Sequence, residues 1–412
     1  MNSTHRKLIN TYAARLLRSE RSGGSTLRPV IRIATIGVAL GTLAMLLSTL
    51  IVRGFSESIT EKVRGFVADY RITSLNLQEG YEEEPIAPDS ALLLSLASVP
   101  GVAHLQAFAH KPALMKSGEE ISGIVLRGIS NDFDTAYFSQ HVSSGRMPTL
   151  PDSGIGSEVL ISKRMAESLK LQPGMPVWLY FIQDQRRIRK VHVSGVYSTG
   201  LGEEFDQLIV FCDINLIRKI NNWSANQVGG YEIHAASGDQ QRTSMALQKQ
   251  AGLFFKVSSA EELFPQLFQW LELQDLNVTV ILGLITLVAG ITMLSTLLII
   301  IMEHGREIGI LQAIGGDERL IGRIFGRVVF FILARGLIVG NVLAGGVGLL
   351  QYMTGWMKLD EESYYLDKVP IHFDLAGWLL TDILILTIGL LMSWLATRIV
   401  AGIQTIRVLR FE

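Results

Sequence analysis

Apolar residues along the chain gather on two scales, as long unbroken runs and as short alternating stretches. Four long runs, at 33–52, 278–302, 328–353 and 375–397, are set apart by a polar stretch of about 220 residues between the first and the second. Each is near or above the ~20 residues a helix needs to cross ~30 Å of hydrocarbon. The pattern predicts an α-helical membrane protein with four transmembrane helices, at 30–54, 276–302, 326–353 and 375–398, and a large extracytoplasmic domain at 55–275. The first run is too long for a cleaved signal and no small-residue cleavage site follows Leu50, Ile51, Val52 and Arg53, so it is expected to remain as a signal anchor.

Inside the polar stretch the period shortens. Residues 68–75 read as a strand, Asp89 as the cap of a helix over 90–97, and Val99, Pro100 and Gly101 as a turn into alternating residues 102–115, with another strand at 121–129. The same strand, helix, strand order returns at 230–235, 239–250 and 253–258, which predicts an α+β domain of two βαβ-like halves. Between them, 145–227 reads as an inserted β-rich subdomain: a short helix over 162–170, a Pro173-Gly174 turn, and strands near 176–183, 188–197 and 207–212.

On the other side of the membrane, helical spacing continues past span two from Glu303 to Ile314. Gly315-Gly316 would end it, and Asp317 would cap a helix carrying Leu320, Ile321, Ile324 and Phe325. Residues 303–325 are thus expected to form a cytoplasmic helical hairpin. Residues 5–20, within the cytoplasmic 1–29 segment, carry an apolar stripe of Leu8, Tyr12 and Leu16 before a Ser22-Gly23-Gly24-Ser25 break. This is an amphipathic helix, lying either on the membrane surface or against the rest of the protein. A 354–374 loop joins the last two spans, and 399–412 form the tail.

Charge orients these pieces. Arg6, Lys7, Arg15, Arg18, Arg21 and Arg28 precede span one, Arg306, Arg319 and Arg323 lie between spans two and three, and Arg398, Arg407 and Arg410 follow span four. All belong inside by the positive-inside rule, whereas the loop with Asp360, Glu361, Glu362, Asp367 and Asp374 belongs outside. Both termini are therefore expected in the cytoplasm. With 37 basic and 38 acidic residues there is no basic field for nucleic acid, and the single Cys212 leaves the outer domain to its apolar core.

Gly37-x-x-x-Gly41 and Gly336-x-x-x-Gly340 permit close helix approach, with packing inside the subunit as the expected use and contact in an oligomer as the alternative for span one. Arg335 and Asp382 are the charges within the apolar runs. Their depths, ~10 Å from opposite ends of antiparallel helices, argue against a pair. Arg335 is expected to snorkel, and Asp382 to face a polar interior or Asn341. The eight histidines show no metal-ligand spacing, catalytic signatures are lacking, Glu82-Glu83-Glu84 and Glu203-Glu204 read as solvated loops, and no Gly-Lys dipeptide exists to build a phosphate loop. The chain is not expected to be an enzyme, and ATP would have to be hydrolysed elsewhere.

The segment Arg306-Glu307-Ile308-Gly309-Ile310-Leu311-Gln312-Ala313-Ile314-Gly315 resembles the coupling motif of ABC transporter permeases of the MacB/FtsX superfamily, in particular the lipoprotein-releasing (LolC/LolE-like) permeases. Gly54-Phe55, Val125-Leu126-Arg127-Gly128-Ile129, Phe264-Pro265-Gln266-Leu267-Phe268, Leu273-Gln274-Asp275 and Leu409-Arg410-Phe411-Glu412 carry the likeness along nearly the whole chain. Gln312 departs from the pattern where a basic residue is common, as does Thr405 where proline is. The turn near Asp184 to Arg187 is shorter than the loop by which some members dock a periplasmic lipoprotein carrier.

The resemblance implies a multi-pass permease subunit of the bacterial inner membrane that works with a cytosolic ABC ATPase dimer, a second permease chain, identical or homologous, membrane lipid and a lipoprotein substrate. ATP and Mg would be held by the ATPase, with no cofactor in this chain. Arg306, Glu307, Gly309, Leu311, Ala313, Ile314 and Gly315 would couple to the ATPase. Substrate acyl chains would meet Met45, Leu46, Thr49, Phe264, Phe268, Val278 and Ile281, and closure of the hairpins would pass mechanically through spans one and two. The other reading is an FtsX-like signal-transducing scaffold that controls a periplasmic partner such as a cell-wall hydrolase. The size of the outer domain favours substrate handling.

Overall fold

The computed structural model describes residues 27–75, 83–151, 154–181, 187–236, 240–314 and 318–402. The expected N-terminal amphipathic helix, the Gly315-Gly316 break, the Asp317 cap, the 184–186 turn, Thr405 and the 409–412 ending lie outside these residues. So do the side chains of Arg306, Glu307, Leu311 and Gln312. The chain divides into two compact units. One, of membrane helices, comes from residues up to 56, 270–358 and from 369 onward; the other, rich in β-structure, comes from 57–269 and 359–368. Helix α1 (Leu27–Val67) contributes to both.

In the β-rich unit, Asp89 accepts from Leu92 N at 2.8 Å and caps α2 (Ser90–Ala97), as its position before an apolar run predicts. The helix lies between β1 (Tyr70–Ser74) and β2 (Val102–Ser117), and a helix at Gln240–Ala251 lies likewise between β9 (Gly230–Ala235) and β10 (Phe255–Ser259). The sheet order β10-β1-β9-β2 is antiparallel throughout, so each βαβ-like half receives one strand of the other between its own two. These are two interlocked split βαβ units. Helix α3 is Ile214–Asn221 and α4 is Gln240–Ala251.

The inserted strands extend this same sheet. From β2 it continues through β3 (Glu120–Ile129), β8 (Ile209–Asp213), β5 (Glu158–Ser162), β7 (Arg187–Tyr197) and β4 (Val142–Gly145), while β6 (Pro176–Phe181) pairs with β2 and β7. The insert shares its core with the halves: Val159, Val177 and Val210 pack in one cluster with Tyr70, Ile72, Ile233 and Leu247. Strand β5 has no alternation to betray it, because Val159, Leu160 and Ile161 are all fully buried.

Among the described residues, four helices are long and apolar enough to cross a membrane. They are α1, α5 (Pro265–Glu303), α7 (Glu318–Thr354) and α8 (Leu375–Gly402). Ile31, Ala34 and Val38 of α1 form a core with Met293, Leu297 and Ile300 of α5 and with Phe325, Val329 and Leu333 of α7. The expected run from span two to Ile314 is interrupted at His304, after which α6 (Gly305–Ala313) begins. The His304 ring Nδ1 takes the Ile300 carbonyl at 3.0 Å, an acceptor already used by the His304 amide at 3.2 Å. That competition disturbs the ladder locally, although Ile308 N still bonds His304 O at 3.0 Å.

Candidate functional site

Two faces of α1 behave differently, and helical geometry explains why. Val38, Thr42 and Met45 recur at intervals of four and three, which places them on one face. Gly336 and Gly340 of α7 meet that face: a Cβ on either would stand 2.5 Å from Val38 Cγ1 or 2.6 Å from Thr42 Cβ. This glycine pair packs inside the chain as expected. The neighbouring face carries Ala34, Gly37, Gly41 and Ala44, again at intervals of three and four. A Cβ on Gly37 would meet nothing within 4 Å, and one on Gly41 would reach only Ile285 at 3.9 Å. The expectation of packing inside the subunit is thus wrong for the first glycine pair. Those small residues open a cleft of about 420 Å³ against Leu284, Ile285, Val288 and Thr292 of α5.

The residues assigned from sequence to acyl-chain contact are not gathered on this surface. Met45 and Leu46 are 2% and 1% exposed. Met45 points to a small cavity of about 30 Å³ shared with Leu333 and Ile385, and the Thr286 hydroxyl approaches its sulfur at 3.8 Å. They lie on or beside the face that α7 covers, so they serve the helix packing. Thr49 is half-buried and donates to Met45 O at 2.9 Å, Val278 is half-buried, and Ile281 is exposed. Phe264 and Phe268 are half-buried in the β-rich unit, with the Phe264 ring 4.8 Å from that of Phe205. The open apolar surface lies on α1 one to three turns earlier, and the stripe Ala34-Gly37-Gly41-Ala44 was the signal for it.

In the coupling segment, Ile308 packs on the membrane-unit core, whereas Ile310, Ala313 and Ile314 are exposed at helical spacing. Space is open around Gly309. Asp382 meets Asn341 as expected: Asn341 Nδ2 donates to Asp382 Oδ1 at 3.0 Å, and Trp378 Nε1 donates to Asn341 Oδ1.

Sequence reasoning missed a charged clasp at the end of α1. Arg127, in the middle of β3 and 1% exposed, donates from Nη1 to the Phe66 carbonyl and from Nη2 to Glu232 Oε2, both at 2.5 Å. Glu232 is fully buried and also accepts from Arg71 at 3.0 Å and Gln106 at 2.9 Å. The terminal carbonyls of a helix carry partial negative charge and lack partners, so a guanidinium there is a cap. Its partner is 105 residues away, and only the sheet unites them. Ala68 then turns the chain into β1 through a left-handed conformation at φ 63°.

Comparison with known proteins assigns the class. Residues 33–250 match the MacB-like periplasmic core domain family, and residues 279–405 match the FtsX-like permease C-terminal family. The chain belongs to the MacB/FtsX family of ABC transporter permeases, multi-pass subunits with a periplasmic-type domain.

Within that family it is similar to the lipoprotein-releasing system transmembrane protein LolC of Neisseria meningitidis serogroup B, at 20% identity over 97% of this chain and 98% of the relative. LolC of Xylella fastidiosa strain Temecula1 is 21% identical over 97% of each chain. The uncharacterized ABC transporter permease YknZ of Bacillus subtilis strain 168 is 21% identical over 79% of this chain and 84% of its own length. Among solved structures, the extracellular domain of the noncanonic ABC-type transporter YknZ from Gram-positive bacteria aligns with 46% of this chain and 98% of its own, at 23% identity and a TM-score of 0.32. The periplasmic region of MacB from Actinobacillus actinomycetemcomitans aligns with 51% of this chain and 97% of its own, at 14% identity and a TM-score of 0.35.

Proposed function

We propose that this permease extracts lipoproteins from the outer leaflet of the bacterial inner membrane, driven by a separate cytosolic ABC ATPase dimer and paired with a second permease chain. The observation that carries this reading is the likeness to LolC proteins over 97% of the chain, membrane helices and β-rich unit together. The geometry supplies suitable parts. Helices α1 and α5, at 41 and 39 residues, are about twice the ~20 needed for a span, so each continues beyond the hydrocarbon and can pass a movement along its length. Between their membrane segments the cleft lined by Gly37, Gly41, Leu284 and Val288 offers an apolar surface for acyl chains, each buried CH₂ contributing about 0.8 kcal/mol. The exposed strip Ile310, Ala313 and Ile314 is the face offered to the ATPase, and both termini are cytoplasmic in this arrangement.

Photo-crosslinkers at Leu284, in the cleft, and at Leu391, exposed on α8, test the reading in the complex with its ATPase. A lipoprotein captured at Leu284 and not at Leu391 is the expected result. Capture only at Leu391, or of no lipoprotein at either site, would reject extraction and leave the FtsX-like scaffold.

A further inference from the structure

The loop joining α7 to α8 does not fold as one piece. Its middle, 359–368, belongs to the compact β-rich unit, while Lys358 and Val369 on either side belong to the unit of membrane helices. We propose that Lys62 anchors this segment to the β-rich unit, making the loop a second strut that couples α7 and α8 to that unit alongside α1 and α5.

Three sets of contacts carry the inference. First, Lys62 Nζ donates to the Tyr365 carbonyl at 2.9 Å, and its half-buried ammonium lies in the field of Glu361, Asp367 and Asp206. Second, the segment is shaped to be held. Ser363 N and Tyr364 N return to Asp360 O at 3.2 and 3.0 Å, Leu359 N bonds Asp367 O at 2.9 Å, Tyr365 takes a left-handed φ of 59°, and Leu366 is 6% exposed. Third, a dedicated loop receives it. The buried Asp206 carboxylate accepts from Thr199 N at 3.1 Å, the Thr199 hydroxyl at 2.7 Å and Gly200 N at 3.1 Å. This holds Gly200 and Gly202 at φ +70° and +76°. A Cβ on Gly202 would stand 2.7 Å from Tyr365 Cε1, and one on Gly200 would run into the Glu361 carboxylate. Glycine at both places permits the approach as well as the backbone conformation.

A half-buried ammonium with a carbonyl acceptor and acidic neighbours makes a fixed joint, since releasing it leaves buried polar groups to be rehydrated. The stretches that flank 359–368 are short and themselves tied, Val369 N to Met357 O at 3.0 Å and Gln351 Nε2 to the Met357 and Val369 carbonyls at 3.1 and 2.9 Å.

Hydrogen exchange on the full chain, in nanodiscs with its ATPase, tests the anchor, and ATP-coupled lipoprotein release tests the strut. The release arm alone rests on the function proposed above. Lys62→Met should raise exchange at the Tyr364 and Tyr365 amides by about tenfold, a loss of local protection, while Lys62→Arg keeps most of it and Lys163→Met, at an exposed site, changes nothing. Gly202→Val should act like Lys62→Met from the opposite side, by displacing the Tyr365 ring. Both should lower coupled release while basal ATPase turnover stays. Unchanged exchange in Lys62→Met and Gly202→Val would overturn the anchor; faster exchange with undiminished release would overturn the strut. If the wild type releases no lipoprotein, the extraction reading fails, and the exchange result still decides the anchor.

Discussion

Arg127 and Glu232 form the joint at which a single side chain has the largest consequence. Desolvation disfavours the Glu232 carboxylate, but Arg127 and then Arg71 hold its pKa down at about 2, against an ordinary 4.5. Because the folded value is the lower one, its stabilisation is fully present above about pH 4.5 and is lost as pH falls toward 2. Arg127→Met leaves that carboxylate buried with Arg71, Gln106 and His110 beside it, and should cost about 3–5 kcal/mol in denaturant unfolding. Arg127→Met combined with Glu232→Gln should be milder, since no buried carboxylate is left short of its partner and only the less buried Arg71 gives up an ion pair. The same measurement across pH should show a smaller loss below pH 4.5 in the double variant than in the wild type, the remainder coming from Glu83, Glu158 and Glu261, whose pKa values are also held down by their partners. A single variant no worse than the double would mean that the pair is not a unit.

At the scale of an element, α1 separates packing from access. Gly340→Leu forces a side chain into Thr42 and the Ala39 carbonyl, and overpacking of this kind costs typically about 1–3 kcal/mol. Gly37→Leu meets open space and should leave the unfolding midpoint in detergent unchanged, while filling the cleft and lowering crosslink yield at Leu284. Equal destabilisation by the two would put the helix faces in the wrong roles. On α6, a Cβ at Gly309 meets nothing within 4 Å among the described residues. Gly309→Trp should therefore insert normally in the membrane and yet lose ATPase in co-purification, as should Glu307→Lys. Retention of the ATPase by both variants would leave α6 a connector.

For the whole molecule, the decisive question is which side each unit faces. Cys212 is fully buried in β8, and burial pushes its thiol pKa up. In cells with a permeabilised outer envelope, a membrane-impermeant thiol reagent should label it only after the β-rich unit is unfolded, and a reporter fused after Glu412 should behave as cytoplasmic. Failure to label the unfolded unit from outside would reverse the topology. The anchor proposed for 359–368 would add α7 and α8 to the spans joined to the β-rich unit. A loop of about 20 residues between α7 and α8 reads from sequence as slack, which would leave α8 uncoupled.

The sequence by itself determined what depends on neighbours close along the chain. Span length, the Asp89 cap and the alternating strands are settled within a few turns or pleats, and a family motif travels with such segments. The tertiary structure decided what needs a distant partner. A small-residue stripe looks the same whether a neighbouring helix fills it or leaves it open, so Gly37 and Gly336 could be told apart only once α7 had chosen a face of α1. Strand β5 has no polar face to announce itself, because the sheet and its cover bury both sides. Arg127 with Glu232, and Lys62 with Tyr365, lie 105 and 303 residues apart, and their charges acquire partners only when the chain has closed those loops.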